Sequence, residues 1–208
     1  LFDKNQALQT FTHFATVGYR TPTQVGNFSV TMRDAGHILG STSLEIVDNK
    51  ADSALRKIVF SGDLGNSPED LLLETELIES ADCVVMESTY GDRLHPQTIP
   101  LNALVSEIKN VEASGGTLLI PAFTLDRTQE LLHLIMHLKK SGEIKVETPV
   151  YLDSPMAKKA TIIYGRYPKI FNGKALSITE DGNKIYVNGR NGQSVEFFSK
   201  DKNDNLEQ

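Results

Sequence analysis

Only one cysteine, Cys83, occurs in the chain, so no disulfide can close within it, a usage that suits a reducing compartment. It sits in an apolar stretch and reads as inert core, not as a reactive thiol. Nowhere does an apolar run approach the roughly 20 residues that a membrane-crossing helix needs. No signal-peptide pattern opens the sequence either, which sets the expectation of a cytoplasmic protein with no membrane partner. Positive charge is in short supply: 21 Lys and Arg against 27 Asp and Glu leave a net charge of −6. That balance excludes a generic polyanion-binding surface, and any nucleic acid must be met by a local groove. P-loop, dinucleotide-binding glycine fingerprint, nucleophile elbow, internal repeat and low-complexity tract are all missing.

What is present describes an ordinary globular protein, 208 residues long, 39% hydrophobic and 23% charged. Two regions differ in pattern. In the first, Asp3 is expected to cap a short helix over 4–11, with strands over 13–19 and 28–33 on either side of the turn-rich 21–27. Residues 43–47 and 57–60 are expected to pair as a hairpin across the polar loop 48–56. Helical spacing follows over 69–80, and 82–86 reads as a short buried strand.

Past Pro100 helix and strand alternate. Leu101, Leu104, Val105, Ile108 and Val111 form one stripe of a helix over 101–113, which Gly115 and Gly116 end. A buried strand is expected over 117–121, then a helix capped by Thr124 or Asp126 and stopped by Gly142. A third strand over 150–153 leads to a helix opened by Pro155, where proline is tolerated. This order argues for a parallel, Rossmann-like sheet. Residues 184–188 and 194–198 look like a hairpin, and 200–208 like a frayed polar tail.

Three segments carry the chemistry: AGHILGS (35–41), SGDLGN (61–66) and ESTYGD (87–92). Each follows an apolar, β-rich run and delivers one potential ligand or proton carrier, respectively His37, Asp63 and Glu87. Imidazole and carboxylate at neighbouring strand ends can converge on one metal ion. Bland readings stand beside this one. His37 suits a loop histidine on a backbone carbonyl, Asp63 an Asx turn, and Glu87 a buried acid bonded to the turn amides of 88–91. Arg127, in a first helical turn, suits either a phosphate contact or an ion pair with Glu130 or Asp153. Ser154 suits a phosphate contact or a plain helix cap. His133 and His137, spaced i,i+4, are expected on the wet side of their helix, because Leu131, Leu132, Leu134, Ile135 and Leu138 supply its apolar stripe; the glutamate that a zincin has after its first histidine is missing as well. His95 is given a structural or cleft-lining role.

With GGTLLIPAFTLDRTQELL (115–132) and PVYLDSPMA (149–157), these segments resemble the β-CASP branch of the metallo-β-lactamase superfamily, a group of RNA-processing nucleases. The resemblance covers most of 30–168. It implies an α/β (α+β) fold: a partial metallo-β-lactamase αββα sandwich over 1–95, then a partial Rossmann-like, parallel-sheet β-CASP region over 96–208. It further implies two zinc ions, with His37 and Asp63 as metal ligands and Asp63 bridging. Glu87 and Asp63 are then catalytic, Glu87 supporting proton transfer, and Arg127 and Ser154 are RNA-binding. The implied reaction is hydrolysis of RNA phosphodiester bonds by a metal-activated water. The implied partners are single-stranded RNA and a second copy or the other subunits of a processing complex.

The family's His-x-His-x-Asp-His signature and its later histidine motifs are absent from the sequence. Since the chain also starts at Leu1, it reads as a fragment of a longer protein, inactive alone. Three alternatives remain open: a non-catalytic β-CASP paralogue acting as scaffold, a metallo-β-lactamase-fold hydrolase of small esters, and a DNA-directed member of the same branch.

Overall fold

Asp3 begins the first element as expected: its carboxylate accepts the Gln6 N–H while the Gln6 side chain accepts the Asp3 N–H, a reciprocal cap on α1 (Lys4–Thr10). This computed structural model describes residues 2–50, 56–65, 71–94, 100–167, 177–181, 184–188 and 194–199. The chain divides into two compact units, the first made of Leu1–Ala35, Ser41–Leu64 and Glu76–Glu87. The second comprises Gly36–Gly40, Gly65–Thr75 and Ser88–Gln208.

The first unit is a five-stranded sheet in the order β1 (Thr23–Val25), β2 (Phe28–Asp34), β3 (Thr42–Asp48), β4 (Lys57–Phe60), β5 (Cys83–Val85). Gly26, at φ 61°, takes the first position of the two-residue turn between β1 and β2, where a hairpin turn favours glycine. The expected hairpin forms between β3 and β4, with Leu44 opposite Phe60 and Val47 opposite Lys57. β5 runs parallel to β4, as a crossover strand must, with Val59 opposite Val84.

Three expectations for this stretch fail. Residues 13–19 hold no strand; the chain closes a 3-10 turn at Phe11–His13 and pairs only from Thr23. β5 is not buried, since Val84 and Val85 are 59% and 48% exposed at the edge of the sheet. No helix forms over 71–80. There, Leu71 and Leu72 enter the core of the second unit while Glu76 belongs to the first, so no single helical stripe survives.

One face of the first sheet carries a charged network. Glu45, 10% exposed at its side chain, pairs with Arg33 and with Lys57 (2.5 Å), and Glu76 pairs with Arg33 (2.7 Å) and Arg20 (3.0 Å). Burial pushes the Glu45 and Glu76 carboxyls up, but hydrogen bonds from Lys57 and Arg33 to Glu45, and from Arg33 and Arg20 to Glu76, leave both below the ordinary glutamate value. A depressed folded-state pKa contributes stability above the unfolded value, lost as pH falls through the folded one. The melting temperature should therefore be flat from about pH 8 to pH 5 and drop by several degrees below about pH 4.5. Circular dichroism of Glu76→Gln should show a shallower acid limb; an identical limb would remove the network as its cause.

The second unit is mixed. α2 (Pro100–Ser114), α3 (Arg127–Ser141) and α4 (Pro155–Gly165) accompany a sheet ordered β6 (Tyr151–Leu152), β9 (Ser194–Ser199), β8 (Lys184–Asn188), β7 (Ser177–Asp181). β6 and β9 are parallel, and the expected hairpin appears as β8–β9 with Asn188 opposite Ser194. Gly142 stops α3 in the left-handed conformation, at φ 76°. The core gathers Leu72, Ile108, Leu132, Ile135, Met136, Ile144 and Tyr164. Residues 117–121 pair with no strand among the described residues; Leu119 is 83% exposed. The tail 200–208 lies outside the described residues. No helix among the described residues is long and apolar enough to cross a membrane.

Candidate active site

Strand direction builds the site in the first unit. β2 and β4 both run antiparallel to β3, and β5 runs parallel to β4. The carboxyl ends of β2, β4 and β5 therefore share one edge of the sheet. Asp63 stands three residues past the end of β4, and Glu87 two residues past the end of β5.

Backbone contacts fix how these ends turn. Ser61 N–H donates to the Val85 carbonyl (2.9 Å), and Glu87 N–H donates to Ser61 Oγ (2.9 Å). The Glu87 carboxylate accepts the Leu64 N–H at 2.7 Å, so the acid from one strand end clamps the turn that carries Asp63. Ser43 Oγ donates to the Ser61 carbonyl (2.7 Å) from the neighbouring strand. Gly62 has φ 58°, and a Cβ there would lie 2.6 Å from the Thr42 carbonyl oxygen, so only glycine fits. Asp63 itself is exposed, and its carboxylate makes no hydrogen bond among the described residues. Beside the turn amides of 88–91 expected for it, Glu87 accepts the Leu64 N–H from the turn of the neighbouring strand end.

His37 belongs to the second unit, on the exposed side of the turn 36–40. Gly36 and Gly40 flank it at φ 64° and 90°, giving the tight backbone that the glycine pair predicts. A Cβ on Gly36 would meet Leu73 O and Thr75 N at 2.9 Å, and one on Gly65 would collide with the Gly36 carbonyl. Leu39 N–H donates to the Tyr164 hydroxyl of α4 at 3.2 Å. Tyr164 is 1% exposed, and burial raises its hydroxyl above the ordinary tyrosine value.

The structure thus brings together the Asp63 turn and Glu87. His37, Arg127 and Ser154 are carried by the second unit. Ser61 and Tyr164 are the residues that sequence reasoning missed. Ser61 stood inside a motif read only for its aspartate, and Tyr164 looked like one more position of a helix opened by Pro155.

Among the described residues, no three His, Cys, Asp or Glu side chains are placed to hold a metal ion. A catalytic zinc takes three protein ligands, so one imidazole and one carboxylate do not suffice. The described residues do not by themselves fit a zinc centre.

The second unit holds a cleft of about 860 Å³. Leu118, Ile120, Ile135 and Val150 wall it, with Thr128, Asp153 and Ser154 adding polar groups. Ser154 caps α4 by accepting the Ala157 N–H at 3.1 Å. Arg127 opens α3 and pairs with Glu130, one of the two partners foreseen. Asp126 takes the cap position at φ 65° but makes no side-chain cap bond.

His133 corrects the expectation of a solvated histidine pair. It is 5% exposed, and its ring meets that of His137 edge-on, centroids 4.4 Å apart, while His137 is exposed. α3 is covered over more than its leucine stripe, with Thr128, Gln129, His133 and Lys139 buried as well. Lys139 reaches the carbonyls of Val146 and Thr148, which explains its burial. His95 lies outside the described residues.

The sequence is similar to that of known proteins. The family model for the Beta-Casp domain matches residues 128–205. A ribonuclease of Thermus thermophilus is 34% identical over 77% of this chain and 36% of its own length. An RNase of Saccharolobus solfataricus is 32% identical over 87% of this chain and 35% of its own length. Cleavage and polyadenylation specificity factor subunit 3 of Dictyostelium discoideum is 28% identical over 95% of this chain and 25% of its own length. The chain thus spans between a quarter and about a third of the length of these relatives.

Proposed function

Since the chain belongs to the β-CASP family of the metallo-β-lactamase superfamily, we propose that it contributes to a metal-dependent ribonuclease that hydrolyses phosphodiester bonds of single-stranded RNA. The observation that carries this reading is the shared sheet edge where Asp63 is presented bare and its turn is clamped by Glu87. An exposed carboxylate on a turn held by Ser43, Ser61 and Glu87 is accessible to a metal ion, and carboxylate oxygen is a donor that zinc takes.

The metal we assign is zinc, with Asp63 and, on the resemblance, His37 among its ligands. Both are donor types zinc takes, and the remaining ligands must come from residues other than those described. Glu87 acts first by holding the Leu64 amide and so the direction of Asp63. Arg127 and Ser154 are assigned to the RNA backbone, phosphate competing with Glu130 for the arginine. Regions 1–95 and 96–208 correspond on this reading to the metallo-β-lactamase part and the β-CASP part. The compartment is cytoplasmic, and assembly with other RNA-processing subunits is part of the same proposal.

The test is cleavage of labelled single-stranded RNA by the full-length protein, with and without a chelator. Cleavage should disappear on chelation and return with added zinc. The 208-residue chain alone should neither cleave nor bind zinc tightly by calorimetry. Chelator-resistant cleavage, or the absence of any cleavage by the full-length protein, would overturn the proposal.

A further inference from the structure

We propose that Phe123 is a stacking platform for a base of single-stranded RNA, resting on the assignment of Arg127 and Ser154 to the RNA backbone. Its ring is 85% exposed, on the loop that leads into α3. Exposed apolar side chains are not rare in this chain, and Leu94 and Leu119 are as open. Phe123 differs in carrying an aromatic face and in how its backbone is held. Its carbonyl accepts both the Thr128 N–H (3.3 Å) and the Thr128 hydroxyl (2.7 Å). The Thr124 carbonyl accepts from Gln129 Nε2 at 3.1 Å. The Leu125 carbonyl accepts the Arg127 N–H and the Asp126 carbonyl the Glu130 N–H, each at 2.9 Å. Four successive carbonyls are thus taken up by the first turn of α3.

Gln129 is 2% exposed and also donates to Thr161 Oγ1 of α4 at 2.9 Å, so the hold on the loop runs into buried structure. Asp126 has φ 65° and ψ −69°, a conformation unfavourable to a residue with a side chain, which persists only where the surroundings impose it. A phenylalanine fixed in this way and turned outward forgoes the stabilisation that burial would bring. It is also preorganised: a flat ligand can cover it with little further loss of chain freedom. The chemistry on either side selects that ligand. Arg127, four residues on, has a side chain 63% exposed, and Pro121, Ala122 and Thr128 line the same cleft as Ser154. Sites for single strands combine cationic contacts to the backbone with aromatic rings on which bases stack. In a duplex the base faces are covered by their neighbours, so the platform favours unpaired RNA. Every base has a π face, so it reads no particular sequence.

The test is binding of labelled oligoadenylate and oligouridylate to the full-length protein in the presence of chelator, where neither metal nor cleavage is needed. Phe123→Leu should weaken both affinities about tenfold and leave the dependence on salt unchanged, since no phosphate contact is lost. Phe123→Tyr, which keeps the ring, should bind within about threefold of the parent. Arg127→Ala, by contrast, should flatten the salt dependence by about 0.7 in slope. Melting of the leucine variant should stay within about 2 °C of the parent, as for a surface substitution. A leucine variant that binds like the parent overturns the platform, and so does a tyrosine variant as weak as the leucine one. A leucine variant that melts several degrees lower also overturns it, because the ring would then be covered by the rest of the protein. RNA bound but never cleaved when zinc is restored would sink the nuclease reading and leave the platform standing; no binding of RNA by the parent overturns both.

Discussion

Asp63→Ala in the full-length protein should cut RNA cleavage on the order of 10³-fold, a loss of several kcal/mol of transition-state stabilisation. RNA binding should remain or tighten slightly, because removing a negative charge does not weaken a polyanion's attachment. The structure makes this a clean experiment. The carboxylate is exposed and bonds to nothing described, while the turn beneath it is held by Ser43, Ser61, Gly62 and the Leu64–Glu87 bond. Stability should therefore stay within about 0.5 kcal/mol of the parent. Turnover within tenfold of the parent would overturn the assignment of Asp63 as a metal ligand.

Glu87 calls for a pair of variants. Glu87→Ala strands the Leu64 amide in a part-buried position, costing about 1–3 kcal/mol of stability. By letting the Asp63 turn drift, it should lower cleavage about 100-fold. Glu87→Gln keeps an acceptor oxygen at the same place, so stability should hold within about 1 kcal/mol and cleavage within tenfold. Rescue by glutamine identifies the residue as a holder of geometry. A glutamine variant as inactive as the alanine one would instead mean that the negative charge is required, returning Glu87 to proton transfer.

Much of this arrangement could be read from the sequence because its signals are local. The Asp3–Gln6 cap, the Ser154 cap and the Gly142 stop each depend on residues within a few positions of one another, and the β3–β4 hairpin joins two runs separated by one polar loop. So does the alternation of apolar run and turn that flagged His37, Asp63 and Glu87. The misreadings share another cause. Residues 71–80 and 117–121 are apolar enough to be helix or strand, yet one is divided between two units and the other pairs with nothing described. His133 was judged by the leucine stripe alone, although α3 is covered well beyond it. Tyr164 could not be found at all, because a bond spanning 125 residues leaves no pattern in a single chain.

The tight passage of Gly65 under the Gly36 carbonyl bears on how alanine scanning of this region must be interpreted. A methyl group there would shove the neighbouring turn aside, and the resulting inactive protein would score as if a reactive group had been lost. Glycine has no such group to lose. Position 65 would top the hit list purely because two stretches of main chain touch.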